Sequence, residues 1–138
     1  MKKYFVALFF AFSLFANANV QLPLLFSDGM VLQRDKPIPV WGWADANEKI
    51  EVHFNNQIVK TIADINGKWM VRLKAEMAGG PYKMAIKGKN NLVIDNVLVG
   101  EVWICSGQSN MEFKVSEAEN AEKEINDANF PSIREFTV

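Results

Sequence analysis

A single cysteine and a single histidine stand among 138 residues. One thiol excludes a disulfide framework within the chain, and one imidazole excludes any site in it that needs two. An excess of either charge is missing too. Lys and Arg number 15 against 16 Asp and Glu, a net charge of −1, which excludes a strongly basic nucleic-acid binder. No Cys/His spacing of a zinc site and no glycine-rich phosphate loop occurs, so no metal and no cofactor is implied. What is present, 49% hydrophobic and 22% charged residues, is the composition of a chain that can build a core. The length suits one domain, or one small domain plus part of another.

The first residues have the layout of a secretory leader. Lys2 and Lys3 precede an almost unbroken apolar run from Tyr4 to Phe15, and Ala16-Asn17-Ala18 supplies small residues two apart. The run is short for a membrane span, which takes about 20 apolar residues. Cleavage after Ala18 is expected to leave an exported chain with 13 Lys and Arg, 16 Asp and Glu and a net charge of −3. No second run in it could hold it in a membrane. Residues 1–18 are thus expected to be a signal peptide, and the mature protein to be periplasmic or extracellular.

Residues 19–96 read as strand, turn, strand. Leu24 to Phe26 and Met30 to Gln33 flank the turn pair Asp28-Gly29. Pro37 and Pro39 mark the entry to Val40-Trp41-Gly42-Trp43. Ile50, Val52 and Phe54 alternate with Glu51, His53 and Asn55, the pattern of a half-buried strand. Asn55-Asn56 predicts a tight turn into Gln57 to Ile62. Asn66-Gly67 predicts another turn, before Trp69, Val71 and Leu73 alternate with Met70, Arg72 and Lys74. Ala78-Gly79-Gly80-Pro81 reads as a break, and Gly88-Lys89-Asn90-Asn91 as the turn before Leu92 to Ile94. Short strands at this spacing predict an antiparallel β-sandwich of jelly-roll or immunoglobulin-like type. Trp41, Trp43 and Trp69 could serve as sugar-stacking platforms, but core packing is the default reading for Trp in a sandwich.

Residues 97–138 read differently. Val97 to Cys105 is nearly continuous apolar, as in a parallel strand buried on both faces. That reading puts Trp103 in a core and makes Cys105 a buried small hydrophobe. Ser116 and Glu119 have capping-box spacing, and Ala118, Ala121, Ile125 and Ala128 form a modest helical stripe. The acidic stretch Glu117 to Glu124 reads as a solvated helix face. Ile133 to Val138 looks like the start of another strand. Strands followed by strand, helix, strand predict a sandwich and then the opening of an α/β domain.

The junction between the two carries the chemistry. Ligands of open α/β sheets bind at the ends of the strands, where Gly107-Gln108-Ser109-Asn110-Met111 would lie. A tight strand-to-helix turn exposes a serine hydroxyl and aims backbone N–H groups at the same point. Met111 stands where a G-x-S-x-G elbow has its second glycine. Gly107-Gln108-Ser109-Asn110-Met111, preceded by Val102-Trp103-Ile104-Cys105-Ser106, resembles the nucleophile block of sialate O-acetylesterases and related carbohydrate acetylesterases, which are hydrolases of the SGNH/GDSL type. Leu25-Phe26-Ser27-Asp28-Gly29-Met30-Val31-Leu32-Gln33 and Pro39-Val40-Trp41-Gly42-Trp43 resemble that family's N-terminal β-domain.

The resemblance implies an SGNH-hydrolase-like second domain, an O-acetylated sugar as substrate, Ser109 as nucleophile and the Ser109 N–H as one oxyanion donor. It gives Gly107 and Gln108 turn or oxyanion roles, and leaves Asn110 either touching substrate or capping the turn that follows. A serine needs a base to become a good nucleophile. The resemblance places a His, with an Asp three residues before it, near the C-terminal end of the catalytic domain. No D-x-x-H occurs in this sequence, and His53 reads as an exposed strand residue. The chain is therefore expected to be an N-terminal fragment, inactive alone. A carbohydrate-binding β-sandwich module and an acetylxylan-type esterase are the alternatives.

Overall fold

The computed structural model describes residues 19–137; the expected signal peptide lies outside them. Among the described residues seven strands run in order: β1 (Val31–Gln33), β2 (Ile38–Trp43), β3 (Lys49–Phe54), β4 (Gln57–Ile62), β5 (Lys68–Leu73), β6 (Gly79–Lys87) and β7 (Asn91–Gly100). After them come two short 3-10 turns at Ser109–Glu112 and Val115–Glu117 and the helix α1 (Ala121–Asp127). No helix among the described residues is long and apolar enough to cross a membrane.

The turns form where the sequence permits them. Asn55 takes φ 49° in the two-residue link between Phe54 and Gln57, a conformation Asn tolerates. At the β4–β5 turn, Asp64 Oδ1 accepts from the N–H groups of Asn66 and Lys68 at 2.8 and 2.9 Å. Gly67 there has φ 76°. An added Cβ on it would also strike the Ala44 carbonyl oxygen.

Five strands form a mixed sheet in the order β1-β7-β6-β3-β4, and β2 and β5 form a separate antiparallel pair. Alternation does what it predicts in β3 and β5: Ile50, Val52, Phe54, Trp69, Val71 and Leu73 are all buried. Together with Val40, Met84, Ile86, Val97 and Val99 they make one cluster, so both sheets share a single core. Phe54 and Tyr82 meet edge to face at 5.5 Å, and Phe26 and Trp41 at 4.8 Å.

The purely antiparallel expectation is corrected at β1. That strand lies parallel to β7, with Val31, Leu32 and Gln33 opposite Leu98, Val99 and Gly100. The fold is a mostly β architecture with a mixed sheet. Ala78 to Pro81 does not break the chain either, because β6 begins at Gly79. The register slips between the pairs Gly79–Val99 and Tyr82–Val97, and Gly80 at φ 120° leaves room beside the Val97 carbonyl. Proline and glycine are tolerated at such a bulge. Leu24 to Phe26, read as a strand, is a turn held by the Phe26 N–H on the Pro23 carbonyl at 2.9 Å.

Val97 to Cys105 is not one buried strand. Val97 to Gly100 completes β7 inside the mixed sheet, and residues 101–108 have no regular structure. Trp103 is 83% exposed, Ile104 is 93% exposed, and Cys105 is exposed as well. No strand among the described residues pairs with the chain past Gly100, so nothing covers those side chains. Ser116 lies in a 3-10 turn and does not cap the helix; Asn120, at φ 59°, precedes α1. Ile125 is exposed, and residues 133–137 form no strand.

Candidate active site

The segment that carries Ser109 leaves the sheet at Gly100 and is tied back to β1. The Arg34 N–H donates to the Gly100 carbonyl at 2.9 Å. Gln33 uses both ends of its amide. Its Oε1 accepts from the Val102 N–H at 2.9 Å, and its Nε2 donates to Glu101 Oε2 at 3.1 Å. Sequence reasoning did not single out Gln33 for this. Its position at the end of a strand was legible, but a clamp between residues 69 apart was not.

Past the clamp, Gly107, Gln108, Ser109 and Asn110 are all exposed. Ser109 opens the 3-10 turn, behind Gln108 in an extended conformation at φ −100° and ψ −162°. The Met111 N–H donates to the Gln108 carbonyl at 2.8 Å, closing the turn. The N–H groups of Ser109 and Asn110 precede that first donor. At a helix start such groups have no partner inside the turn. Gly107 does not adopt a left-handed conformation. Its role is steric, since a Cβ there would lie 2.6 Å from Met111 Cγ. Asn110 accepts from the Phe113 N–H through its carbonyl at 3.4 Å.

His53 is not assembled with Ser109 by any bond among the described residues. It stands on β3 with its Nε2 at 3.2 Å from Glu51 Oε2. Glu51 in turn meets Lys60 Nζ at 2.6 Å. These two partners hold the Glu51 carboxyl below its ordinary value, Lys60 first and His53 second. No group of three or more His, Cys, Asp or Glu able to hold a metal forms among the described residues.

No family model matches the chain. Its fold is that of part of a carbohydrate acetylesterase. It is 44% identical to the crystal structure of one from Xanthomonas citri, with a TM-score of 0.79 over 81% of this chain and 26% of that one. Among sialate O-acetylesterases, the rat protein is 35% identical over 122 residues, which is 79% of this chain and 22% of that protein. The human protein is 31% identical over 136 residues, 89% of this chain and 26% of that protein. The chain is a homologue of the sialate O-acetylesterases over most of its own length and spans about a quarter of theirs.

Proposed function

We propose that this chain is part of an exported carbohydrate O-acetylesterase that acts on O-acetylated sialic acid, with Ser109 as its nucleophile. The homology to acetylesterases over most of the chain carries the reading. The exposed turn that begins at Ser109 supports the role of that residue. Ser109 Oγ attacks the acetyl carbonyl, and the N–H of Ser109 donates to the oxyanion that develops. A base takes the hydroxyl proton and returns it to the leaving sugar oxygen. Water then releases acetate from the acyl-enzyme. His53, bonded to Glu51, does not supply that base. It comes instead from the part of the longer protein that corresponds to the unmatched three quarters of the relatives. Lys2, Lys3 and the apolar run behind them direct export.

The experiment has two arms. The purified 138-residue chain is expected to leave a chromogenic acetate ester intact. A chimaera that carries this chain in place of the matching 26% of the Xanthomonas citri enzyme is expected to release acetate. Ser109→Ala in it should cost about a thousandfold or more in kcat. Substantial turnover by the mutant chimaera removes Ser109 as nucleophile, and serine-dependent turnover by the isolated chain removes the requirement for an outside base. Comparing acetylated sialic acid with acetylated xylan in the chimaera tests the substrate. A second reading, a carbohydrate-binding module, is favoured by one observation: Trp43 is not in the core but 44% exposed.

A further inference from the structure

The parallel ladder between β1 and β7 runs out before the chain reaches Ser109. The Leu98 N–H donates to the Met30 carbonyl at 3.0 Å, and at the far end the Arg34 N–H donates to the Gly100 carbonyl at 2.9 Å. At the even spacing of a parallel ladder, the next rung would join the Val102 N–H to the Arg34 carbonyl. The backbones do not make it, because the chain after β1 turns away. Asp35 takes φ 57° and gives its N–H to the Glu76 carbonyl at 2.9 Å.

The Gln33 amide stands in that gap. Its Oε1 accepts from the Val102 N–H at 2.9 Å, and its Nε2 donates to the Arg34 carbonyl at 3.3 Å. A primary amide offers the donor and acceptor of a peptide unit, so the side chain supplies the rung that the backbone cannot. The same Nε2 donates to Glu101 Oε2 at 3.1 Å, and Arg34 Nε lies 3.9 Å from Glu101 Oε1. The chemistry selects glutamine. The Val102 N–H needs an acceptor and the Glu101 carboxylate a donor, and at neutral pH neither Glu nor Lys supplies both. Asparagine has the amide on a stem one methylene shorter.

We propose that Gln33 is a positioning residue for the nucleophile: its amide extends the β1–β7 ladder to Val102 and sets the course of the segment that delivers Ser109. This rests on the reading of Ser109 as nucleophile. No strand among the described residues pairs with the chain past Gly100, and Val102, Trp103 and Ile104 are exposed. Buried packing therefore does not direct the segment where it leaves the sheet, and the bonds to Gln33 do. Ser109 follows seven residues after Val102. Catalysis is sensitive to such placement, since a shift of about 1 Å in a reacting group can cost about a hundredfold. Gln33 touches no reacting atom in this scheme and acts through the backbone of Val102 and the side chain of Glu101.

The test has two arms. In the 138-residue chain, NMR relaxation is expected to give amide order parameters near about 0.85 at Glu101, Val102 and Trp103. Gln33→Ala should lower them toward about 0.6 and leave those of β3 and β5 unchanged. In the acetylesterase chimaera, Gln33→Ala should lower kcat about tenfold or more, with KM within about threefold of the wild type. Gln33→Glu, which sets two carboxylates against each other, should do the same. Adding Glu101→Gln to it restores both an acceptor for Val102 and a donor between the side chains, and should recover most of kcat. A general loss of stability would not be recovered in this way. Equal order parameters in wild type and Gln33→Ala overturn the proposal whatever the turnover. A double variant no better than Gln33→Glu overturns it as well. Turnover that survives Ser109→Ala overturns the nucleophile reading instead. Ser109-dependent turnover untouched by Gln33→Ala overturns the positioning role alone.

Discussion

Glu48 is the one charged side chain buried among the described residues, at 8% exposure. It serves two loops at once. Oε2 accepts from the Asp45 N–H at 3.0 Å and Oε1 from the Lys89 N–H at 2.6 Å. Gly88 leaves the space, since a Cβ there would overlap Glu48 Oε1 and Val20 Cγ2. Lys89 Nζ also pairs with Asp45, which closes the same junction from outside. Removing an acceptor from buried donors costs the desolvation of those donors. Glu48→Ala is expected to destabilise the chain by about 1–3 kcal/mol, read as a shift in the urea midpoint, with Glu48→Gln restoring part of it. An unchanged midpoint would show that water replaces the carboxylate freely. None of this was legible in the sequence, because the partners are 41 residues apart. Trp43 shows the same limit. Its parity along β2 follows from the chain, but the face of that strand which finds a partner sheet does not.

At the scale of elements, the β3–β4 hairpin shows which charges matter. Glu51 and Lys60 stand opposite each other in register, the position where cross-strand pairs interact. Hydrogen bonds from Lys60 and then His53 lower the folded-state pKa of Glu51 from its usual 4.5. A carboxyl depressed in the folded state stabilises it above the unfolded value, and that contribution is lost as pH falls through the folded one. Glu51→Gln is therefore expected to be less stable than the wild type at neutral pH. The difference should shrink as pH falls below the usual carboxyl range and vanish once Glu51 is protonated in the folded state too. Thermal melts across that range check it, and a difference independent of pH would rule out the charge as its cause.

Leu92 to Ile94 and the stretch from Val97 onward read as separate segments, whereas β7 runs from Asn91 to Gly100 through Asp95 and Asn96. Between the pairs Met84–Ile94 and Tyr82–Val97, β7 takes one residue more than β6. Asn96 absorbs the excess at φ 58°. A bulge and a turn favour the same residue types, so composition alone does not separate them.

For the whole molecule, every buried apolar side chain among the described residues lies between Val20 and Val99. The chain past Gly100 adds few contacts to that core. It is held by the Gln33 amide and by Arg134 Nη2, which donates to Asn96 Oδ1 at 3.3 Å. A chain ending at Gly100 is expected to fold cooperatively, with a melting midpoint within about 4 °C of that of the full 138 residues. Loss of the cooperative transition would show that residues beyond Gly100 belong to the folding unit.

The sequence by itself determined what neighbouring residues dictate. Alternation set the inner faces of β3 and β5, Asn and Gly set the hairpin turns, and Gly107 to Met111 carried the resemblance to acetylesterases. These follow from a two-residue side-chain period and from φ preferences, which are local. Only the tertiary structure decided which strands became neighbours. It laid β1 parallel to β7, turned Trp69 into the core and Trp43 out of it, and left Trp103 and Ile104 uncovered. Such outcomes depend on what packs against a face once distant segments meet, and the residues in that face do not encode their partner.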